Sequence, residues 1–414
     1  MPEVDRRLQP IALELLEGFR ALVVNGPRQA GKSTLVRHVQ KGRGTVANLD
    51  DASLRDLAVS DPGGFLAQLP PRSAIDEFQR GGDPLLLAVK MAVDHDRTAG
   101  QFVLAGSTRF LTTRRLSETL TGRIGILELL PLSAGEIRGV RETFVERVFD
   151  GDAGSGTFER LDRDAYADLV TTGGFPELAL GPATSRLRTL WCAAYVQTVT
   201  AAGNVDQVAE VRRPALLDNL LRQVAARSAD ELVLTDLARE LASDVETVRS
   251  YLEVLATLYL VRLVPAWTTS HTNRSKRRSI MHLVDTALAC HLVGTTATQL
   301  AKHDSPWFGP LLESYVVGEL AKQCGWSEQP VAIAQYRDRD QREVDVVLER
   351  GRDIVAIEVK ATATPTTAHA KHLVFLRDRL GDRFKAGVVL HTGDRVLRLG
   401  DRLVALPVSS LWGS

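Results

Sequence analysis

The sequence predicts an α/β protein with an N-terminal parallel sheet and its helices, a helical middle region and a C-terminal α/β module. Up to about residue 150, strand-like runs alternate with helical ones, a pattern typical of a parallel sheet. The middle of the chain is mostly helical, and strands return towards the C-terminus in a different order. Polar breaks at residues 150–156 and 267–278 then predict domains at 1–150, 151–268 and 269–414.

The composition is that of a globular protein and excludes several classes. The 51 basic and 51 acidic residues balance, which excludes a uniformly basic nucleic-acid coat and an acidic solubilising chain, but not a local basic face. The three cysteines are too few and too scattered for a disulfide framework or a zinc site, and they fit a reducing cytoplasm. No signal peptide or membrane-spanning run is visible, so we expect a cytoplasmic protein without membrane insertion.

The first strand and helix of the N-terminal module flank a phosphate-binding pattern. Ala21–Asn25 predicts a short buried strand and Lys32–Gln40 predicts a helix. Residues 26–33 (GPRQAGKS) match the P-loop G-x-x-x-x-G-K-[ST], whose backbone N–H groups and helix N-terminus bind phosphate oxygens. Lys32 would reach the β- and γ-phosphates of ATP, and the Ser33 hydroxyl would ligate Mg²⁺.

The alternative for this pattern is a glycine-rich turn that matches by chance. The flanking strand and helix favour the nucleotide site. The predicted nucleotide-binding residues are Gly26, Pro27, Arg28, Gln29, Ala30, Gly31, Lys32, Ser33, Thr34 and Ser107.

An acidic pair follows a second, shorter apolar run at residues 74–77 (AIDE). Asp76 would complete the Mg²⁺ shell together with Ser33, and Glu77 would polarise the attacking water. A surface acidic pair is the alternative. The position of the pair after the P-loop favours the catalytic interpretation.

Two further polar residues are candidates in the same module. Ser107 follows a strand predicted at 101–105 and could contact the γ-phosphate or the attacking water, as could Thr108; a Ser/Thr-rich turn is the alternative. Arg123 could stabilise transition-state charge in its own or a neighbouring subunit, which would require a homo-oligomer. An ordinary surface arginine is the alternative.

The middle region contains a helix-turn-helix pattern at residues 232–250. Thr235 and Ser243 are suitable N-cap residues, and apolar residues recur at helical spacing. Residues 261–267 resemble the wing of a winged helix. The second helix, with Arg249 on its outer face, predicts DNA binding. A lid for the ATPase or a coupler between domains is the alternative, since the same helix carries two glutamates.

The C-terminal module carries a nuclease-like set of residues. Glu313 lies on a predicted helix, Asp345 lies on a strand at 343–349, and Glu358 and Lys360 end the strand Asp353–Lys360. Because residues i and i+2 of a strand share a face, Glu358 and Lys360 point together. The order matches the PD-(D/E)XK nuclease arrangement, in which carboxylates bind Mg²⁺ and the lysine activates a water. A solvent-facing hairpin, or the fold without cleavage, is the alternative.

Taken together, these motifs resemble a large prokaryotic family of AAA-type P-loop ATPases with a C-terminal domain of unknown function. The resemblance implies an ATP-binding AAA domain, a winged-helix segment, a PD-(D/E)XK-like C-terminal module and Arg123 as an arginine finger. The residues that carry it are 26–34, 48–51, 76–80, 105–107, 120–123, 129–136, 173–177, 312–316, 336–347 and 357–360.

The leading functional hypothesis is a Mg²⁺-dependent ATPase whose nucleotide state controls a DNA-binding or nuclease-like module. One alternative is a regulatory switch or scaffold that uses an inactive nuclease-like fold to bind a partner. Another is a protein that only recognises DNA structure. Residues 262–280 contain five basic residues and no acid, which indicates either a local DNA contact or a solvated linker.

Overall fold

The computed structural model describes residues 3–107, 120, 122–181, 184–201, 205, 208, 211–269 and 278–413. They form two compact units. The N-terminal unit comprises Glu3–Leu132 with Thr257–Tyr259, and the C-terminal unit comprises Ser133–Ala256 with Leu260–Ser414. The polar stretch at 150–156 is a largely exposed loop within the C-terminal unit.

The N-terminal unit is a parallel sheet with helices, as predicted. Its strands are β1 (Ala21–Asn25), β2 (Val46–Asn48), β3 (Ser73–Asp76), β4 (Phe102–Gly106) and β5 (Ile124–Glu128). Its helices are α1 (Gln9–Gly18), α2 (Lys32–Gln40), α3 (Ala52–Ser60), α4 (Pro62–Gln68) and α5 (Gly82–His95). The strand order is β2-β3-β4-β1-β5 with parallel pairing throughout.

Strand β1 lies inside this sheet and is buried along its whole length. An uninterrupted apolar run suits such a strand because helices cover both faces of a parallel sheet. The bounds of β1 and α2 are those predicted, and β4 begins one residue later than expected. Parallel pairing brings the carboxyl ends of β1, β3 and β4 to one edge of the sheet.

The C-terminal unit begins with helices, as its mostly helical pattern predicts. They are α6 (Ala134–Arg138), α7 (Phe144–Phe149), α8 (Arg163–Thr172), α9 (Pro176–Ala179), α10 (Ser185–Thr200), α11 (Pro214–Ala226), α12 (Leu234–Glu240), α13 (Val245–Thr257), α14 (Thr286–Leu292), α15 (Ala297–Leu300), α16 (Phe308–Cys324) and α17 (Lys371–Leu380). After α13, strands β6 (Val261–Val264) and β7 (Ile280–Leu283) pair antiparallel.

The predicted helix pair is present as α12 and α13, but both predicted caps are wrong. Val233 is the N-cap of α12, so Thr235 lies inside the helix. At the start of α13, the Asp244 carboxylate rather than the Ser243 hydroxyl accepts a hydrogen bond from Thr247 N, at 2.8 Å. A carboxylate here also faces the positive end of the helix dipole, which favours Asp244 over the neighbouring serine.

A mixed sheet completes the C-terminal unit. Its strands are β8 (Ala332–Arg337), β9 (Glu343–Arg350), β10 (Asp353–Lys360), β11 (Phe384–His391), β12 (Leu397–Gly400) and β13 (Leu403–Pro407), in the order β12-β13-β11-β10-β9-β8. Strands β8, β9 and β10 pair antiparallel, whereas β11 is parallel to β10 and to β13. In the described part of the chain, none of the helices is long and apolar enough to span a bilayer.

Candidate functional site

The loop between β1 and α2 has the backbone shape of a phosphate cradle. Gly31 caps α2 with φ +93°, a left-handed conformation that glycine adopts without strain. At Gly26, a Cβ atom would collide with the carbonyl oxygen of Leu129, so only glycine fits where the loop leaves β1. The helix dipole and free N–H groups at the start of α2 then favour an anion.

Lys32 is held inside this loop. Its ammonium donates to the carbonyl oxygens of Gly26, at 3.0 Å, and Pro27, at 2.7 Å, and the residue is 5% exposed. Burial lowers the pKa of Lys32 to about 8, against the opposing effect of the Glu77 and Asp76 carboxylates. Phosphate oxygens would favour the charged ammonium and replace the carbonyl groups as its partners.

Arg6 holds the loop through hydrogen bonds to backbone carbonyl groups, a role that the sequence analysis did not predict. Its guanidinium donates to the carbonyl oxygens of Ala30 and Leu130, both at 2.7 Å, and the residue is buried. Gly31 approaches the same guanidinium, since a Cβ there would lie 3.4 Å from Arg6 Nη1. An arginine far from the loop in sequence carries no local signal of this contact.

The predicted acidic pair lies at the carboxyl end of β3. Asp76 is 4% exposed, and its carboxylate accepts a hydrogen bond from Glu77 N at 3.0 Å. Glu77 Oε2 accepts from the Ser107 hydroxyl at 3.5 Å and from the Gln79 amide. The fold thus brings Asp76, Glu77 and Ser107 to the edge of the sheet that carries the P-loop. Gln79 lies within the motif at 76–80, but nothing in that motif assigned it a role.

Arg123 lies at the opposite edge of the same sheet. It precedes Ile124, which pairs with Ala21 at the start of β1, whereas the P-loop follows Asn25 at the end of β1. The strand between them has five residues, which at ~3.3 Å per residue separates the two ends by about 13 Å. The guanidinium pairs with the Asp94 carboxylate and thereby lowers the pKa of that carboxyl. Arg123 is therefore not brought to the P-loop of its own chain.

The residues at this edge suit ATP with Mg²⁺. The loop offers N–H donors and an ammonium to phosphate, and the hydroxyl and carboxylate oxygens of Ser33 and Asp76 are ligands that Mg²⁺ prefers. Among the described residues, the side-chain nitrogen and oxygen of Asn25 are both buried without a hydrogen-bond partner, one residue before the loop. Such unpaired buried groups are costly, and they fit a site that takes a polar ligand or water.

The nuclease-like residues of the C-terminal module also meet. Lys360 Nζ lies 2.6 Å from Glu358 Oε1, as expected for residues on one face of β10. The Asp345 carboxylate accepts a hydrogen bond from Val359 N at 2.7 Å, which places it beside the end of β10. Burial raises the pKa of the Glu313 carboxyl on α16, and the charges of Asp345 and Glu358 raise it further.

Electrostatics in this cluster favour a cation. Burial, followed by the Asp345 charge, raises the pKa of Glu358 to about 8, and burial also raises that of Asp345. Burial opposes the charged form of Lys360, yet the Asp345 and Glu358 charges raise its pKa. Within the described residues, Glu358 Oε2 is buried without a hydrogen-bond partner, and no group of three or more acidic, His or Cys side chains is arranged to hold a metal ion.

In the helix pair and the basic stretch, two of the arginines considered for DNA contact form ion pairs with glutamates of this chain. Arg249 is exposed and pairs with Glu246 on its own helix at 3.4 Å. Arg278 pairs with Glu231 at 3.5 Å. Three further basic residues of the stretch lie outside the described residues: Arg274, Lys276 and Arg277. Thr108 of the first module also lies outside them.

Comparison with protein families divides the chain into three matches. Residues 18–138 match an AAA domain family. Residues 163–299 and 308–411 match two families that are each described as a domain of unknown function (DUF8612 and DUF4143). The first match, together with the parallel sheet and the P-loop, supports an AAA-type P-loop ATPase domain that binds ATP. The PD-(D/E)XK assignment has no counterpart among these matches.

Two mycobacterial relatives match most of this chain. Uncharacterized proteins of Mycobacterium bovis and Mycobacterium tuberculosis are each 26% identical over 392 residues, which cover 94% of this chain and 80% of the relative. A solved structure of the Thermotoga maritima RuvB Holliday junction branch migration motor is 18% identical to this chain, with a TM-score of 0.31. The match covers 66% of this chain and 89% of the RuvB chain. At that TM-score, the likeness bears on neither fold nor function.

Proposed function

We propose that the chain binds ATP with Mg²⁺ and hydrolyses it in the N-terminal unit, and that the nucleotide state controls a DNA-binding or nuclease-like module in the C-terminal unit. The convergence of Lys32, Asp76, Glu77 and Ser107 at one edge of the sheet supports the first part. Cytoplasmic location and assembly into a homo-oligomer belong to the same proposal.

The residues of the site divide the work of hydrolysis. Backbone N–H groups of the P-loop hold the phosphates, and Lys32 exchanges its carbonyl partners for phosphate oxygens. Ser33 and Asp76 hold Mg²⁺, which supplies positive charge to the reacting phosphate when bound. Glu77 accepts a proton from the attacking water, and Ser107 orients that water or the γ-phosphate.

Arg123 enters this proposal only as a residue that acts on a neighbouring subunit. Its place at the far edge of the sheet is incompatible with contact to the phosphates of its own chain. In a ring or filament of subunits, that edge could face the nucleotide of the next copy.

The C-terminal cluster has two candidate roles. The acid on a helix, the acid on a strand and the E-x-K ending of the next strand support a nuclease site in which Glu313, Asp345 and Glu358 would bind Mg²⁺ and Lys360 would activate water. Among the described residues these acids are not arranged to hold a metal ion, so the first role requires them to move together around the ion. The ion pair between Glu358 and Lys360 favours the second role, a module that binds a partner without cleavage, because it occupies the Lys360 ammonium and one of the two Glu358 carboxylate oxygens.

Phosphate release tests the ATPase. We expect the wild type to release phosphate from Mg²⁺–ATP and Lys32→Ala to do so at least about a hundredfold more slowly, since the variant loses its ammonium at the phosphates. Lys41→Ala is the matched control, because Lys41 is an exposed lysine next to the end of α2. Equal rates for wild type and Lys32→Ala, with and without DNA, would rule out ATP hydrolysis at this site.

Nucleic-acid cleavage with Mg²⁺ or Mn²⁺ separates the two roles of the C-terminal module. A nuclease should lose cleavage of DNA or RNA in Glu358→Gln and keep it in Glu253→Gln, a matched change at an exposed glutamate of α13. Cutting by wild type and Glu358→Gln alike would indicate a contaminant. The absence of cutting in both would leave the binding role.

A further inference from the structure

The Gln79 side chain links the expected catalytic base to the expected phosphate-contacting serine. Gln79 lies on the short turn Phe78–Gly81 after β3. Its amide nitrogen donates to Glu77 Oε2 and, at 3.2 Å, to Ser107 Oγ, and Ser107 Oγ lies 3.5 Å from Glu77 Oε2. Both amide hydrogens are therefore used, and the three side chains form a closed triangle.

We propose that Gln79 is a positioning residue that holds the Glu77 carboxylate against Ser107 and keeps ATP turnover slow until the γ-phosphate draws the Ser107 hydroxyl away. The inference rests on the proposed ATPase function. It adds a residue that senses the nucleotide and controls the base, and no part of the P-loop chemistry requires such a residue.

The second observation concerns Gly106, the last residue of β4. A Cβ atom at this position would lie 2.9 Å from Gln79 Oε1, a contact too short to persist, so the glycine leaves the space in which the amide sits. Gly106 does not belong to the glycines with positive φ, so space rather than backbone conformation requires it. Register pairs Gly106 with Asn25 of β1, which places this space directly behind the P-loop.

The amide oxygen of Gln79 supports a change from this closed triangle to an open arrangement when nucleotide binds. Within the described residues, Gln79 Oε1 is buried and has no hydrogen-bond partner. Glu77 itself has φ +52°, in the left-handed region that glutamate seldom adopts. An unpaired buried oxygen and an unusual backbone conformation are typical of a site that rearranges when its ligand binds.

The chemical consequence follows from the lone pairs of the carboxylate. While Gln79 and Ser107 both donate to Glu77 Oε2, that oxygen is engaged and is a poorer acceptor for the proton of a water. When the Ser107 hydroxyl donates to a phosphate oxygen instead, the triangle opens and Glu77 can turn towards the water. No covalent change is required, because only hydrogen-bond partners are exchanged.

Two variants should open the triangle by different routes. Gln79→Ala removes the amide, and Gly106→Ala displaces it, since the end of a flexible side chain is the atom that must move. We expect each variant to raise kcat for Lys32-dependent ATP hydrolysis about three- to tenfold. ATP should bind at least as tightly as to the wild type, because the γ-phosphate no longer competes with the triangle for the Ser107 hydroxyl. The double variant should be no faster than either single variant, because both remove one interaction.

Controls separate this role from a structural one. Gln68→Ala, at an exposed glutamine in the last turn of α4, should leave kcat and Tm at wild-type values. A purely structural Gln79 would lower Tm and kcat together, and Gly106→Ala would not reproduce the gain. Unchanged or reduced kcat in both Gln79→Ala and Gly106→Ala, with wild-type turnover that still depends on Lys32, overturns this inference and leaves the ATPase standing. The absence of Lys32-dependent turnover in every variant overturns both.

Discussion

Burial shifts the pKa values of one residue at each candidate site, Lys32 and Glu358, towards the neutral form. It lowers the pKa of Lys32 to about 8 and raises that of Glu358 to about 8, because a charge loses hydration inside the fold. Each group would regain its ordinary charge from a ligand of opposite sign, phosphate for Lys32 and a cation for Glu358. The same physical cause thus prepares two residues of opposite charge for binding.

At the residue scale, Arg6→Ala tests the support of the P-loop. The variant leaves the carbonyl groups of Ala30 and Leu130 without their charged donor, which costs about 2 kcal/mol of unfolding free energy for such hydrogen bonds. We also expect ATP to bind about tenfold more weakly, since the loop loses its fixed shape. Urea unfolding and a nucleotide titration measure the two effects.

Arg97→Ala is the matched control for this change, because Arg97 is exposed. It should unfold and bind ATP as the wild type does. Wild-type ATP affinity and stability in Arg6→Ala would show that the loop keeps its shape without the guanidinium.

At the scale of elements, strong local patterns predicted the strands and helices well and weak ones did not. The apolar runs of β1 and β10 and the helix α2 have their predicted bounds. Strand β2 has three residues, and its pairing with β3 rather than its own composition makes it a strand. The predicted caps of α12 and α13 are wrong because several neighbouring residues can cap a helix and the backbone decides among them.

The start of helix α6 predicts a dependence of stability on pH. Glu142 accepts a hydrogen bond from Gly135 N at 2.8 Å, and Glu319 accepts one from Ala134 N at 2.9 Å. Burial, with contributions from the nearby Glu319 and Glu136 charges, raises the pKa of Glu142 from 4.5 to about 7. Lys322 compensates Glu319, with which it pairs at 2.6 Å.

The folded protein therefore binds the Glu142 proton more tightly than the unfolded chain does. Between pH 4.5 and about 7, unfolding releases this proton, so the free energy of unfolding falls as pH rises, by at most about 3 kcal/mol. We expect Glu142→Gln to remove this part of the decline, as measured by urea unfolding at several pH values. Glu253→Gln should keep the wild-type slope, and an unchanged slope in Glu142→Gln would contradict the assignment.

At the scale of the whole molecule, zero net charge is an average over regions of different charge. The basic stretch within residues 262–280 is a local exception, and it predicts DNA binding that weakens with salt. If four of its basic residues contact phosphates, the logarithm of the binding constant should fall with the logarithm of salt concentration with a slope of about −3.6. A fluorescence titration at several salt concentrations measures it with the full chain.

Replacing these residues by glutamine should reduce the slope towards zero. The replaced residues are Arg274, Lys276, Arg277 and Arg278. A matched control replaces four exposed basic residues elsewhere: Lys41, Arg97, Arg186 and Arg352. Absent or salt-insensitive DNA binding by the wild type would contradict a DNA-contacting face.

The sequence by itself determined the features that depend on neighbouring residues. The P-loop between a strand and a helix, the parallel sheet and the shared face of Glu358 and Lys360 all follow from local spacing, because backbone geometry fixes where residues a few positions apart can point. Only the tertiary structure decided the contacts of Arg6 with Leu130, of Gln79 with Ser107 and of Arg123 with Asp94. These pairs are far apart in sequence, and the pairing of strands and the packing of helices bring them together, which no local pattern encodes.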